Sequence, residues 1–204
     1  APVPIPESGH RMSQDAQAPP MNRSSTDPPV IRPAVRQRSV GAAFWGMTRR
    51  VTVMAACVDV LLLVLFLAFD QPLLGWLNLV SITMYMLAYL ALKRRRNALA
   101  LALIWAEVVA HVALGTLMVG WESGFHYYLL MFIPAVAVGA RGWMLAAELG
   151  ALMGMYLGLH HWVVSHGALN PMQPLGLELV HAVNVMVVFA FAAYTARYYY
   201  GLVS

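Results

Sequence analysis

A chain of 204 residues, 60% of them hydrophobic and only 11% charged, is too oily for a water-soluble domain, in which about 25% of residues carry charge. Its formal net charge of +4 comes from basic residues at the ends of apolar runs and from arginines in the N-terminal segment, and no nucleic-acid-binding motif accompanies them. Its one cysteine, Cys57, excludes an internal disulfide and any metal site built on cysteine pairs.

Residues 1–46 come first and differ from the rest. Eight of the twelve prolines lie in the first 33 residues, mixed with Ser, Gln, Asp and Arg. Such a segment buries too little apolar surface to offset its ordering entropy, and a disordered cytoplasmic tail is expected. It lacks the apolar core of a signal peptide. Because the chain opens on Ala1 rather than Met, its first residue is not expected to be the start of the gene product.

Six apolar runs follow, at 51–69, 72–92, 98–119, 124–140, 142–164 and 175–194. Each approaches the roughly 20 residues that cross a bilayer. An all-α bundle of six transmembrane helices over residues 47–200 is therefore expected. The fourth run is short and contains Pro134, where neighbouring helices must satisfy the freed carbonyl.

The positive charges set an orientation. Arg49 and Arg50 precede the first run, Lys93 to Arg96 separate the second and third, Arg141 separates the fourth and fifth, and Arg197 follows the sixth. With five arginines in the tail, all 13 Lys and Arg fall on one side of a six-span arrangement. The positive-inside rule then puts both termini in the cytoplasm. Trp45 and Trp143 mark the inner interface, and Trp76, Trp121 and Trp162 the outer one.

Ionisable side chains within a span are costly, so each raises a functional question. They are Asp59, Glu107, His111, Glu148, Glu178 and His181. Glu107 and His111 are four apart and Glu178 and His181 three apart, so each pair shares one helix face. His126 opens the fourth run, His160 and His161 close the fifth, and His166 follows. By depth, six of the seven histidines gather toward the outer side. The expectation is an outward-open polar pocket of Glu107, His111, Glu178 and His181, with Trp121, Glu122, His126 and Tyr127 from the turn between the third and fourth runs.

Three readings of that pocket stand side by side. The polar groups fix bundle geometry through interhelical hydrogen bonds. They contact a small, largely apolar ligand. Or His111, His181, His160 and His161 hold a divalent metal or haem b in a redox protein. Gly150, Gly154 and Gly158 form a small-residue ridge, which serves either packing within one chain or a homodimer seam. Cys57 is read as a small packing residue.

No phosphate loop, nucleophile elbow, kinase signature or zinc-protease motif is present, so no catalytic residue is assigned. The stretch Gly120-Trp-Glu-Ser-Gly-Phe-His-Tyr-Tyr-Leu-Leu130, with Pro134 shortly after, resembles the loop and fourth-span start of six-helix bacterial sensor modules that precede GGDEF diguanylate cyclase domains. Related anchors precede class III adenylyl cyclase domains and some quorum-sensing histidine kinases. The resemblance covers about Arg49 to Arg197, chiefly by topology. It implies signal transduction: a receptor takes up a periplasmic or lipid-borne signal and passes it through the sixth helix to an output domain. That domain is expected beyond the given residues, with the diguanylate cyclase favoured, and 201–204 are read as the start of the region leading to it.

Overall fold

The computed structural model describes residues 33–139 and 142–203. Six helices account for almost all of them: α1 (Pro33–Ala68), α2 (Pro72–Lys93), α3 (Asn97–Val119), α4 (Tyr127–Gly139), α5 (Trp143–His166) and α6 (Pro174–Val203). A single 3₁₀ turn, Trp121–Ser123, links α3 to α4.

Helix α1 begins at Pro33, so the tail boundary expected at residue 46 is corrected for residues 33–46, which are helical. Proline is tolerated in the first turn of a helix, and the Ala, Arg and Gln that follow are good helix formers. Residues 1–32 lie outside the described residues, as do Ala140 and Arg141. The fourth helix starts at Tyr127, so Gly124 to His126 belong to the turn that precedes it.

Among the described residues, four stretches are long and apolar enough to cross a membrane: Ala42–Ala68, Pro72–Lys93, Asn97–Val119 and Pro174–Tyr198. The described part of α4 has only 13 residues, about 20 Å at 1.5 Å per residue. Helix α5 is long enough, but it carries Glu148, His160, His161 and His166. The outside of the bundle is apolar. Phe189 is 73% exposed and Trp76 68%, and Val64, Met153, Leu157 and Met186 are exposed with them. An apolar exterior of this extent belongs against lipid rather than water, and the chain is a membrane-embedded helical protein.

The core runs through Leu62, Phe66, Val112, Phe125, Leu129 and Val180. Helix α2 packs along α1 and α3, while α6 meets α1, α4 and the 3₁₀ turn. The turns at one end of the bundle are tied together. Leu169 and Asn170 donate backbone N–H groups to the carbonyls of Leu117 and Met118 at 2.9 and 2.8 Å, and the Asn170 amide donates to Gln71 Oε1 in the α1–α2 turn. Cys57, read as a small packing residue, is exposed on α1.

Gly150, Gly154 and Gly158 lie along the exposed side of α5, and a Cβ at any of them would meet nothing within 4 Å. Packing of that ridge within one chain is thereby corrected.

Candidate functional site

The polar residues fall into two groups rather than one pocket. The first lies inside the bundle between α1 and α3. His111 Nδ1 is 3.4 Å from Glu107 Oε1 and 3.8 Å from Asp59 Oδ1, and Ser81 Oγ of α2 is 3.5 Å away. One imidazole nitrogen therefore faces three oxygens brought by three helices. Glu107 is 2% exposed and Asp59 4%. Asp59 Oδ2 and both carboxylate oxygens of Glu107 make no hydrogen bond of normal geometry. Buried polar atoms are usually paired, so three orphan oxygens in one group ask for a partner.

Two cavities meet at this group. The larger, of about 200 Å³, is lined by α1, α2, α3, α4 and α6. Its wall includes Thr48, Thr52, Trp105, Phe132 and Phe191, with Asp59, Glu107 and His111 as its polar end. It runs toward the side of the bundle that carries Arg49, Arg50 and Arg96, because its lining comes from residues 44–59 of α1, 101–111 of α3 and 187–195 of α6. The smaller, of about 70 Å³, lies among α1, α2 and α3 on the other side, and Glu107 and His111 line it too. The main cavity is therefore not in the half of the bundle where the histidines suggested it.

The second group surrounds the 3₁₀ turn. Gly120 (φ +111°) and Gly124 (φ +80°) bracket it, both in backbone conformations that L side chains resist. The turn lays the Trp121 indole flat on His126, with ring centroids 3.7 Å apart and planes 9° apart. Tyr127 packs on His126 at 4.2 Å, and the edges of His160 and Tyr156 close on Trp121 at 4.7 and 5.1 Å. His126 is 1% exposed, and neither ring nitrogen finds a hydrogen-bond partner. Burial, with a smaller contribution from His181 and His160, pushes this imidazole down to about 4.

Helix α6 grips the same turn. His181 Nδ1–H donates to the carbonyl of Glu122 at 2.7 Å. The Asn184 amide donates to the carbonyl of Ser123 at 2.8 Å. The Tyr128 hydroxyl donates to Asn184 Oδ1 at 3.0 Å. Phe125 fills the space between the two groups. Its ring lies against the α3 backbone at Gly115, where an added Cβ would sit 2.6 Å from Phe125 Cγ, and it meets the His111 ring edge-on at 5.2 Å.

The expected pocket residues thus divide. Glu107 and His111 meet each other. Trp121, His126, Tyr127 and His181 meet around the turn. Glu122 contributes its carbonyl while its side chain is exposed. Glu178 is exposed, as are His160 and His161, and none of the three joins His111. Among the described residues, only Asp59, Glu107 and His111 bring three possible metal-ligand atoms within 4.8 Å of one another. The histidines His111, His181, His160 and His161 form no such three-member group among the described residues.

Asp59 was available to sequence reasoning. It lies nine residues beyond Arg50, and Glu107 lies eleven beyond Arg96. Two helices entering from the same side place those residues at nearly equal depth, about 14–17 Å in. Asn184, a neutral side chain in a span, carried no such signal.

Compared with protein-family models, curated proteins and solved structures, the chain matches none.

Proposed function

We propose that this chain is a membrane-embedded sensory input and anchor module. In this reading its six helices all cross the bacterial inner membrane with both termini in the cytoplasm. A small, largely apolar ligand enters the larger cavity. The signal leaves through α6 to a cytoplasmic nucleotide cyclase, with a diguanylate cyclase favoured, and two copies pair along the Gly150–Gly154–Gly158 ridge.

One observation carries the reading. The larger cavity is walled by α6 as well as by α1 and α3, through Val187, Phe191 and Thr195. An occupant there touches the helix that would deliver the signal. A ligand shifts an equilibrium only by binding two states differently, and contact with α6 provides that difference. The polar end of an otherwise apolar wall suits a ligand with one polar group on a hydrocarbon body.

The test is a cavity-filling substitution, Ala55→Phe, in the module fused after Val203 to a diguanylate cyclase reporter. Cellular cyclic dinucleotide should become fixed and unresponsive to added 1-decanol. Purified Ala55→Phe protein should lose the thermal stabilisation that 1-decanol gives the unsubstituted chain. Unchanged output together with no stabilisation of either protein would remove the receptor reading.

A further inference from the structure

We infer that Asp59, Glu107 and His111 bind a single divalent transition-metal ion of the zinc, iron(II) or manganese(II) class. The inference goes beyond the receptor reading and does not depend on it, because the ion would sit at the end of the cavity whether or not a ligand fills it.

The geometry comes first. Four-coordinate zinc with bonds of about 2.0–2.1 Å holds its ligand atoms about 3.3 Å apart. His111 Nδ1 lies 3.4 Å from Glu107 Oε1 and 3.8 Å from Asp59 Oδ1. Closing the second distance takes a few tenths of an ångström, within reach of a rotation of the Asp59 carboxylate. Glu107 and His111 are one helical turn apart on α3, which fixes their spacing independently of the bundle.

The vacant hydrogen-bonding capacity comes second. Asp59 Oδ2, Glu107 Oε1 and Glu107 Oε2 make no hydrogen bond of normal geometry, although Tyr85, Ser81 and His111 face Glu107, and both side chains are more than nine-tenths buried. Two carboxylates and one imidazole share this site in the bundle interior. Charge buried there without compensation is expensive. One divalent ion cancels it and satisfies the orphan oxygens together.

The donor set comes third. Calcium asks for six to eight oxygen ligands, and magnesium keeps several waters. One imidazole with two carboxylates suits a borderline ion instead. Because Glu107 and His111 line both cavities, a coordination position remains open toward each. Water or a polar ligand head group can take it.

The full chain, purified in detergent and stripped with a chelator, is titrated with Co²⁺ and then Zn²⁺. The expected result is a ligand-field band that saturates at one Co²⁺ per chain and is displaced by Zn²⁺. Asp59→Asn, Glu107→Gln and His111→Gln should each weaken binding by more than about 100-fold, since losing even an outer-shell partner costs 10–100-fold. A His160→Ala, His161→Ala, His166→Ala variant should keep the band. X-ray absorption of the zinc-loaded unsubstituted chain needs no variant to fold, and it should show one imidazole among oxygen ligands. Absence of a band, its loss only in the His160/His161/His166 variant, or two or more imidazoles on zinc would each overturn the inference.

Discussion

Asn184 of α6 and Ser123 of the 3₁₀ turn are joined by a buried hydrogen bond of 2.8 Å, and the same asparagine accepts from Tyr128 at 3.0 Å. Both residues are fully buried. One side-chain amide therefore uses its donor on a backbone carbonyl and its acceptor on a phenol, and it fastens α6 to the turn and to α4 at once. Asn184→Leu leaves the Ser123 carbonyl and the Tyr128 hydroxyl unpaired. Stranding a buried polar group costs about 1–3 kcal/mol, so a clear fall in the melting temperature of detergent-purified protein is expected. An unchanged melting temperature would show that this fastening contributes nothing to stability.

Gly115 and Phe125 are in closer contact than any larger residue allows. Gly115→Ala places a methyl group 2.6 Å from the Phe125 ring, and overpacking of this kind costs about 1–3 kcal/mol. The substitution should lower thermal stability, and adding Phe125→Leu should recover part of the loss. Equal destabilisation with and without Phe125→Leu would mean that the ring is not what the methyl meets.

His126 makes stability depend on pH. Its folded-state value is pushed down to about 4, against about 6.5 for an unperturbed imidazole. Between those values the unfolded chain binds more protons than the folded one, so stability rises with pH there. Acidification should weaken the fold progressively from about pH 6.5 to about pH 4. His126→Phe should flatten that part of a melting-temperature profile, and an identical slope in the variant would assign the effect to another group.

The open side of α5 predicts a separation of effects. An added Cβ at Gly154 meets nothing within 4 Å among the described residues, so Gly154→Leu should leave the fold's melting temperature unchanged. If two copies pair on this ridge, the same change should reduce the cross-linked dimer fraction in reconstituted bilayers, because bulky side chains keep helix backbones apart. An undiminished dimer would place the seam elsewhere.

What could be read in advance followed from local chemistry. The i, i+4 spacing of Glu107 and His111 put them on one face of α3, and they do meet. The apolar runs match the six helices, with ends within a few residues except at the start of α1 and the end of α6, which runs nine residues past the expected 194. The same local rule paired Glu178 with His181, yet Glu178 is exposed while His181 turns to the Glu122 carbonyl. Spacing along one helix says which residues share a face, and the neighbouring helix decides what that face meets. Asp59, the third member of the buried group, came from α1 for that reason. The Gly-Trp-Glu-Ser-Gly stretch stood out for its side chains, but much of its contribution is made by the backbone carbonyls of Glu122 and Ser123. Residue type does not announce a main-chain acceptor.

Helix α6 runs without a break from Pro174 to Val203. From Asn184 to Val203 is a rod of 20 residues, about 28 Å from first to last. A continuous helix turns and tilts as one body, so its angular phase at Asn184 is its angular phase at Val203. Each residue added to the rod advances that phase by about 100°. A single inserted alanine after Arg197 would therefore point the far end in a new direction, while seven would bring it almost back. Any partner that reads this helix reads an angle, and its response should repeat with the period of the helix.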